Sequence, residues 1–319
     1  MKRIMEYFII CALPVLLPAL SHSEEVQTKK MTLEFSSPGK PGIVKVVSGE
    51  GNVTVTGYDG NNVAMEVRSS EEISDTGKVN EKAKGMKRIS SSGFNVTKDA
   101  ETNTIIISRS MKSETNIMLK VPRLTSLNIG GQSDAKQPVG VNGIAEMVMK
   151  SVAGLTNYSG GLFQGNIEIS GVQGDIEVNT MEGDITVKDV TSNVVANNLD
   201  GNITVTYKSL TSKNPIAFSS IDGDIDVTFP AGLKATVTAR NVDGDIFTDF
   251  DMDMNASEPP STGSKKPSKT SGITIAQSGS QNIDIMGMFG TNVIGNINGG
   301  GTEISMTTID GDIYIRKGK

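Results

Sequence analysis

The chain has 319 residues with 30 basic and 36 acidic side chains, 36% hydrophobic and 4% aromatic residues, 35 glycines and no tryptophan. A net charge of −6 argues against a nucleic-acid surface, which needs a basic patch. So few large side chains cannot fill the deep core of a compact enzyme of this length; they fit a thin, elongated β-architecture that buries small and β-branched residues.

In chain order, residues 1–23 come first. Lys2 and Arg3 form a positive start, Tyr7 to Leu20 is apolar and broken by Pro14 and Pro18, and Ser21-His22-Ser23 supplies small residues for cleavage. This is the pattern of a secretory signal peptide, too short for a membrane span. Cleavage is expected after Ser23, with Ser21 as the alternative. Ile10 before Cys11 is not the small residue that lipoprotein processing wants, so no lipid anchor is expected. Cleavage removes the only Cys (Cys11) and the only His (His22), and leaves 30 − 2 = 28 basic and 36 − 1 = 35 acidic residues, a charge of −7. Thiol nucleophiles, Ser-His-Asp triads, His or Cys zinc sites and disulfides are then excluded. No later apolar run is long enough to span a membrane as a helix. The expected location is exported: periplasmic, cell surface or secreted.

Residues 24–130 read as an irregular N-terminal β region. Strands are expected at Ile43 to Val47, Val53 to Val55, Val63 to Val67, Phe94 to Val96, Ile105 to Ile107 and Ile117 to Val121. Glu71 to Ser92, rich in Glu, Lys, Ser and Gly, reads as a mobile excursion or a weak edge hairpin.

Residues 131–319 carry an internal repeat. Gly, then Asp or Asn, then Ile, any residue and an apolar one recur at Gly165, Gly174, Gly183, Gly201, Gly223 and Gly311, with a shorter copy at Gly244 that runs to Phe247 and a weaker copy at Gly51. The successive gaps from 165 to 244 are 9, 9, 18, 22 and 21 residues, a strand-and-turn period. Gly supplies a positive φ at a corner, Asx suits the turn, and Ile and the apolar residue two further on share one face of a strand. Such short strands gain stability by stacking successive coils, which buries the Ile and Val rows. An antiparallel meander or sandwich also allows this alternation; the near-identical corner favours an all-β solenoid, stacked in register. Ile176, Ile185, Ile203, Ile225 and Ile246 are expected to point inward and stack. A flexible insertion is expected at 251–271, which runs from acidic residues through Pro259-Pro260 to Pro267. Strands resume at Ile273 to Ile275 and Ile283 to Ile285 and continue through Val293, Ile297, Ile304 and Met306 to Ile315. Arg316, Lys317 and Lys319 then follow a strand expected to end the stack, where they either block addition of another chain or form an ordinary solvated tail.

Four stretches carry a resemblance: Val46 to Asn61 (VVSGEGNVTVTGYDGN), Leu119 to Ile129 (LKVPRLTSLNI), the Gly-Asp-Ile ladder, and Gly301 to Lys317 (GTEISMTTIDGDIYIRK). In this order they resemble a bacterial presumed-adhesin domain family of unknown function, related to auto-transporter adhesin head domains, over about residues 40 to 317. The resemblance implies a right-handed parallel β-helix, an envelope or secreted location and no known catalysis. It brings no functional residues, and the insertion departs from the simplest pattern.

Three functions compete. Repeat-bound Ca²⁺ would use Asp175, Asp184, Asp224, Asp245 and Asp312, but calcium-binding nonapeptides place paired glycines before the Asp, and here a single Gly precedes it directly. A glycan-active enzyme would use paired carboxylates such as Asp222 with Asp224 or Asp243 with Asp245, yet these belong to the repeat itself, and only Tyr58, Tyr158, Tyr207 and Tyr314 could act as sugar platforms in the mature chain. The preferred reading is a non-enzymatic adhesin-like or scaffolding module at the cell envelope, followed by a Ca²⁺-stabilised secreted binding protein and then the enzyme. No catalytic, cofactor-binding or metal residue is assigned and no cofactor is expected. The partner is an envelope or surface ligand, protein or glycan, with no nucleic acid and no membrane span.

Overall fold

The computed structural model describes residues 27–47, 49–69, 94–109, 114–130, 163–211, 214–254 and 290–319. The expected leader, the excursion Glu71 to Ser92, the strands at Ile273 to Ile275 and Ile283 to Ile285, and the insertion beyond Met254 lie outside these residues.

Every regular element among the described residues is a strand. The first nine are β1 (Gln27–Glu34), β2 (Ile43–Val47), β3 (Gly49–Glu50), β4 (Val53–Tyr58), β5 (Asn62–Ser69), β6 (Phe94–Asp99), β7 (Thr104–Arg109), β8 (Thr115–Pro122) and β9 (Ser126–Ile129). The repeats then supply β10 (Phe163–Gln164), β11 (Ile167–Ser170), β12 (Ile176–Glu182), β13 (Ile185–Val190), β14 (Val194–Asp200), β15 (Ile203–Tyr207), β16 (Ile216–Ser219), β17 (Ile225–Phe229), β18 (Ala235–Asp243) and β19 (Ile246–Thr248). β20 (Met252–Asp253), β21 (Thr291–Ile297), β22 (Thr302–Asp310) and β23 (Ile313–Lys317) complete the series.

Two large open sheets hold them. The first runs β1-β5-β8-β4-β11-β13-β15-β17-β23-β19 and the second β20-β21-β18-β22-β16-β14-β12-β9-β2-β7-β6, with β3 and β10 attached beside β12. From β11 to β17 the chain alternates between the sheets, and each strand pairs in parallel with the strand two places on. Ile167, Ile185, Ile203 and Ile225 therefore fall in one row. This alternation explains the spacing: a full repeat is two strands and two turns, and nine residues is half of it. Gly174-Asp175-Ile176 opens β12 in the second sheet, so it sits at the opposite turn from the copies at Gly165 and Gly183. Ile176 is buried as expected but stacks between Leu127 and Val194, not with Ile185. Ile246, at the end of the first sheet, is only half-buried.

The inner residues form one apolar core drawn from strands on both sides of residue 130, mostly Val and Ile, with Phe163, Phe218 and Phe229 as its largest fully buried side chains. In the first sheet Ile185, Ile203, Ile225 and Ile313 are each flanked by the Ile of the coil on either side, and burying such a side chain contributes about 1.5–3 kcal/mol.

Chain order and stacking order differ at both ends. β22 and β23 lie between β16–β17 and β18–β19: β23 pairs with β17 on one side and β19 on the other. At the opposite end, β2–β4 lies inside β7–β8. The C-terminal strand is thus an interior strand. Arg316 and Lys317 belong to this strand, Lys319 lies just beyond it, and they do not guard a terminal edge, which corrects that expectation. Arg316 is an internal ion-pair partner of Asp226 at 2.7 Å. The outermost strands also turn antiparallel, at β1–β5, β5–β8, β6–β7, β18–β21 and β20–β21, so both sheets are mixed.

Candidate functional site

The repeated corner is the most regular polar feature. Its glycines stack in the order Gly51, Gly165, Gly183, Gly201, Gly223, Gly311, Gly244, all with φ between 108° and 137°. A Cβ on Gly223 would stand 2.2 Å from the Gly201 carbonyl oxygen, so only Gly lets adjacent coils close to strand spacing there. The next residue forms a second row. The N–H of Asn166 donates to Asn52 Oδ1 (2.9 Å), that of Asp184 to Asn166 Oδ1 (2.8 Å), and that of Asn202 to Asp184 Oδ1 (2.9 Å). Asp224 N–H donates to Asn202, Asp312 N–H to Asp224 and Asp245 N–H to Asp312, at 2.7–2.9 Å.

A third row was missed from sequence. Asn198, Ser220, Thr308 and Asn241 each stand three residues before a corner Gly and donate to the corner carbonyl of the preceding coil: Gly183, Gly201, Gly223 and Gly311 respectively. Its signal was available as a small polar residue at a fixed offset, but Asn, Ser and Thr vary enough to hide it.

The candidate acids separate into different rows. Asp224, Asp245 and Asp312 belong to the Asx ladder, whereas Asp222 and Asp243 lie one position before the Gly, in register with Glu182, Asp200 and Asp310. Asp175 lies at the opposite turn and accepts from the Ser192 hydroxyl. Among the described residues no group of three or more acidic, His or Cys side chains could hold a metal ion. The paired carboxylates proposed for glycan cleavage are thus repeated along the stack, and no single pair is set apart.

The outer face of the first sheet presents two rows. One contains Thr54, Glu168, Thr186, Thr204, Asp226 and Tyr314; the other Thr56, Ser170, Lys188, Thr206, Thr228 and Arg316. At its far end Phe247 stacks on Tyr314, with ring centroids 5.2 Å apart, and Arg316 lies 4.9 Å from the Tyr314 centroid. The Asp245 N–H and the Tyr314 hydroxyl hold the Asp312 carboxyl below the usual aspartate range, and the same bond to Asp312 raises Tyr314. Hydrogen bonding to Asp226 raises Arg316. On the second sheet, burial pushes Glu177 up despite hydrogen bonds from Asn179 and Asn128. Of the other tyrosines, Tyr207 is buried and stacked on Phe229, Tyr58 donates to Asn62, and Tyr158 lies outside the described residues.

A family model described as Toastrack DUF4097 matches residues 58–286. The chain belongs to this Toastrack family. This agrees with the resemblance read from the sequence to a domain of unknown function. Among solved structures, this Toastrack chain is similar to a presumed cell adhesion protein from Clostridium sporogenes, with 9% identity, a TM-score of 0.42, and coverage of 92% of this chain and 100% of that one. It is also similar to a presumed adhesin from Bacteroides fragilis, with 12% identity, a TM-score of 0.28, and coverage of 92% and 98%. No curated protein matches it significantly.

Proposed function

We propose that this Toastrack protein is an exported, non-enzymatic, adhesin-like or scaffolding module of the bacterial cell envelope, its alternating strands winding as a right-handed solenoid. The leader at 1–23, the N-terminal region 24–130 and the repeats 131–319 with an insertion at 251–271 are part of the same proposal. The observation that carries it is where the repeat's polar groups go. Corner Asx oxygens hold the backbone of the next coil, and small polar side chains hold corner carbonyls, so the recurrent carboxylates build architecture. What remains outward is a flat grid of Thr and paired charges at strand spacing, suited to an extended protein or glycan ligand.

Fractionation of the expressing bacterium, with intact-mass analysis, tests export: a chain starting at Glu24 in the envelope or medium is expected. Binding of that chain to glycan and surface-protein arrays tests the module. Thr186→Lys with Thr204→Lys is expected to lose binding without a change in melting temperature. An unprocessed cytosolic chain, or release of reducing ends from a bound glycan, would overturn the reading.

A further inference from the structure

The two ends of the stack are complementary in four respects. The first is stepped shape. Among the described residues, beyond the last coil at one end, the first sheet adds two strands, β5 and β1, where the second adds β6; at the other end the second sheet adds β21 and β20, where the first ends at β19. An overhang of the first sheet at one end thus faces a recess of the same sheet at the other. The second is strand direction. β1 is antiparallel to β5 and β5 to β8, while β8 is parallel to β4, and the parallel series continues from there to β19. β1 and β19 therefore run the same way.

The third is charge. The β19 end carries Asp243, Asp245, Asp249, Asp251 and Asp253, all exposed, and β1 carries half-buried Lys29 and exposed Lys30, whose ammonium is ion-paired with Glu66 of β5 at 3.2 Å and stays open to solvent on its other sides. The fourth is apolar pattern. Met31 and Leu33 of β1 and Ile246 of β19 are each half-buried and packed on the core. Among the described residues Asp245 is also the last of the Asx row, with no N–H donating to its oxygens, although each earlier Asx oxygen in the row receives one.

We propose that the β19 edge is a docking surface for the β1 edge of a second copy, so that the chains stack head to tail. β1 adds in parallel to β19 with Met31 beside Ile246. That register puts Lys30 next to Asp245, with its backbone N–H aimed at the open Asx oxygen, and Thr32 next to Phe247. Parallel addition leaves one free edge at each end of the pair, so association is open and linear. The inference does not depend on the outer-face ligand, and that ligand can exist without it.

The test needs no partner protein. It follows the full mature chain by light scattering and analytical ultracentrifugation over about 1–200 µM, with electron microscopy for shape. Concentration-dependent linear oligomers are expected, weakened by added salt because the charges are exposed. Lys30→Glu and Asp245→Lys, each alone, are expected to be monomeric with unchanged circular dichroism and melting. Their mixture is expected to associate again. At one kind of junction the introduced glutamate of the first variant meets the introduced lysine of the second, and at the other the original Lys30 meets the original Asp245. A parent that stays monomeric throughout overturns the proposal, as do single variants that associate like the parent. A chain that associates only once Ile283→Asp and Ile285→Asp are introduced also overturns it, because its own Asn282-Ile283-Asp284-Ile285, which repeats the strand pattern, would then be the occupant.

Discussion

At the corner a single Cβ decides whether two coils can meet. Gly223 combines φ of 137° with a carbonyl oxygen 2.2 Å from where its Cβ would sit, while Gly39, with φ of 82°, has open space around it. Gly223→Ala is expected to lose about 3 kcal/mol or more, and Gly39→Ala about 1 kcal/mol, in urea unfolding. Equal losses would show that close approach is unimportant. Asp312 supplies the pH-dependent counterpart. Its carboxyl is depressed below 3.8, first by the Asp245 N–H and then by the Tyr314 hydroxyl. A depressed carboxylate adds stability that is present above its unfolded value and lost as pH falls through the folded one. Asp312→Asn keeps an oxygen for the Asp245 N–H and removes the titration. The variant should melt below the parent at neutral pH, where the ionised carboxylate contributes, and the difference should close below about pH 3.8 as the parent loses that contribution. Asp59, Glu66 and Asp99 are also depressed, so both chains keep a shared acid decline. The Gly and Asx of this corner were legible in the sequence because the backbone admits few residues there. The Asn198, Ser220, Thr308 and Asn241 row was not, because any small donor can reach the carbonyl.

At the scale of the strand, alternation governs. Ile225 is fully buried between Ile203 and Ile313, and Asp226 beside it faces out in a two-oxygen hydrogen bond with Arg316 at 2.7 and 2.9 Å. Ile225→Asp should cost more than about 4 kcal/mol, since a buried carboxylate would have no partner. Asp226→Asn should cost under about 1 kcal/mol, because both groups are partly solvated. Thermal melts check both, and similar melting for the two variants would contradict the assigned faces. Sequence periodicity placed both residues correctly. It did not reveal Arg316 as the partner of Asp226, because those residues are brought together by stacking order, 90 positions apart.

Across the whole molecule, that stacking order carries a folding consequence. The repeat spacing made Gly223 and Gly244 look like consecutive coils, but Gly311 lies between them: Gly311 N–H donates to the Asp243 carbonyl, and Gly223 N–H to the Asp310 carbonyl. Periodicity reports that strands stack and is silent on their order, since every coil offers the same backbone donors and the same Ile to its neighbours. β18–β19 therefore has no native neighbour as the chain emerges, because its partners β21, β22 and β23 all follow it and the place beside β16–β17 belongs to β22–β23. Closure joins Asp226 to Tyr314 and Ile246 to Ile313, contacts distant in sequence whose loop entropy slows folding. A chain ending at residue 300 should keep amide protection in β12 to β15, whose neighbours are all present. It should lose protection together in β16, β17, β18 and β19, each of which loses a neighbour on β22 or β23. Hydrogen exchange read by mass spectrometry separates this from a simple terminal coil, whose removal would leave β18 and β19 protected on β16 and β17. Protection of β18 and β19 at the parent level in the shortened chain would mean that consecutive coils pair directly, and the interior placement of the C-terminal strands would fall.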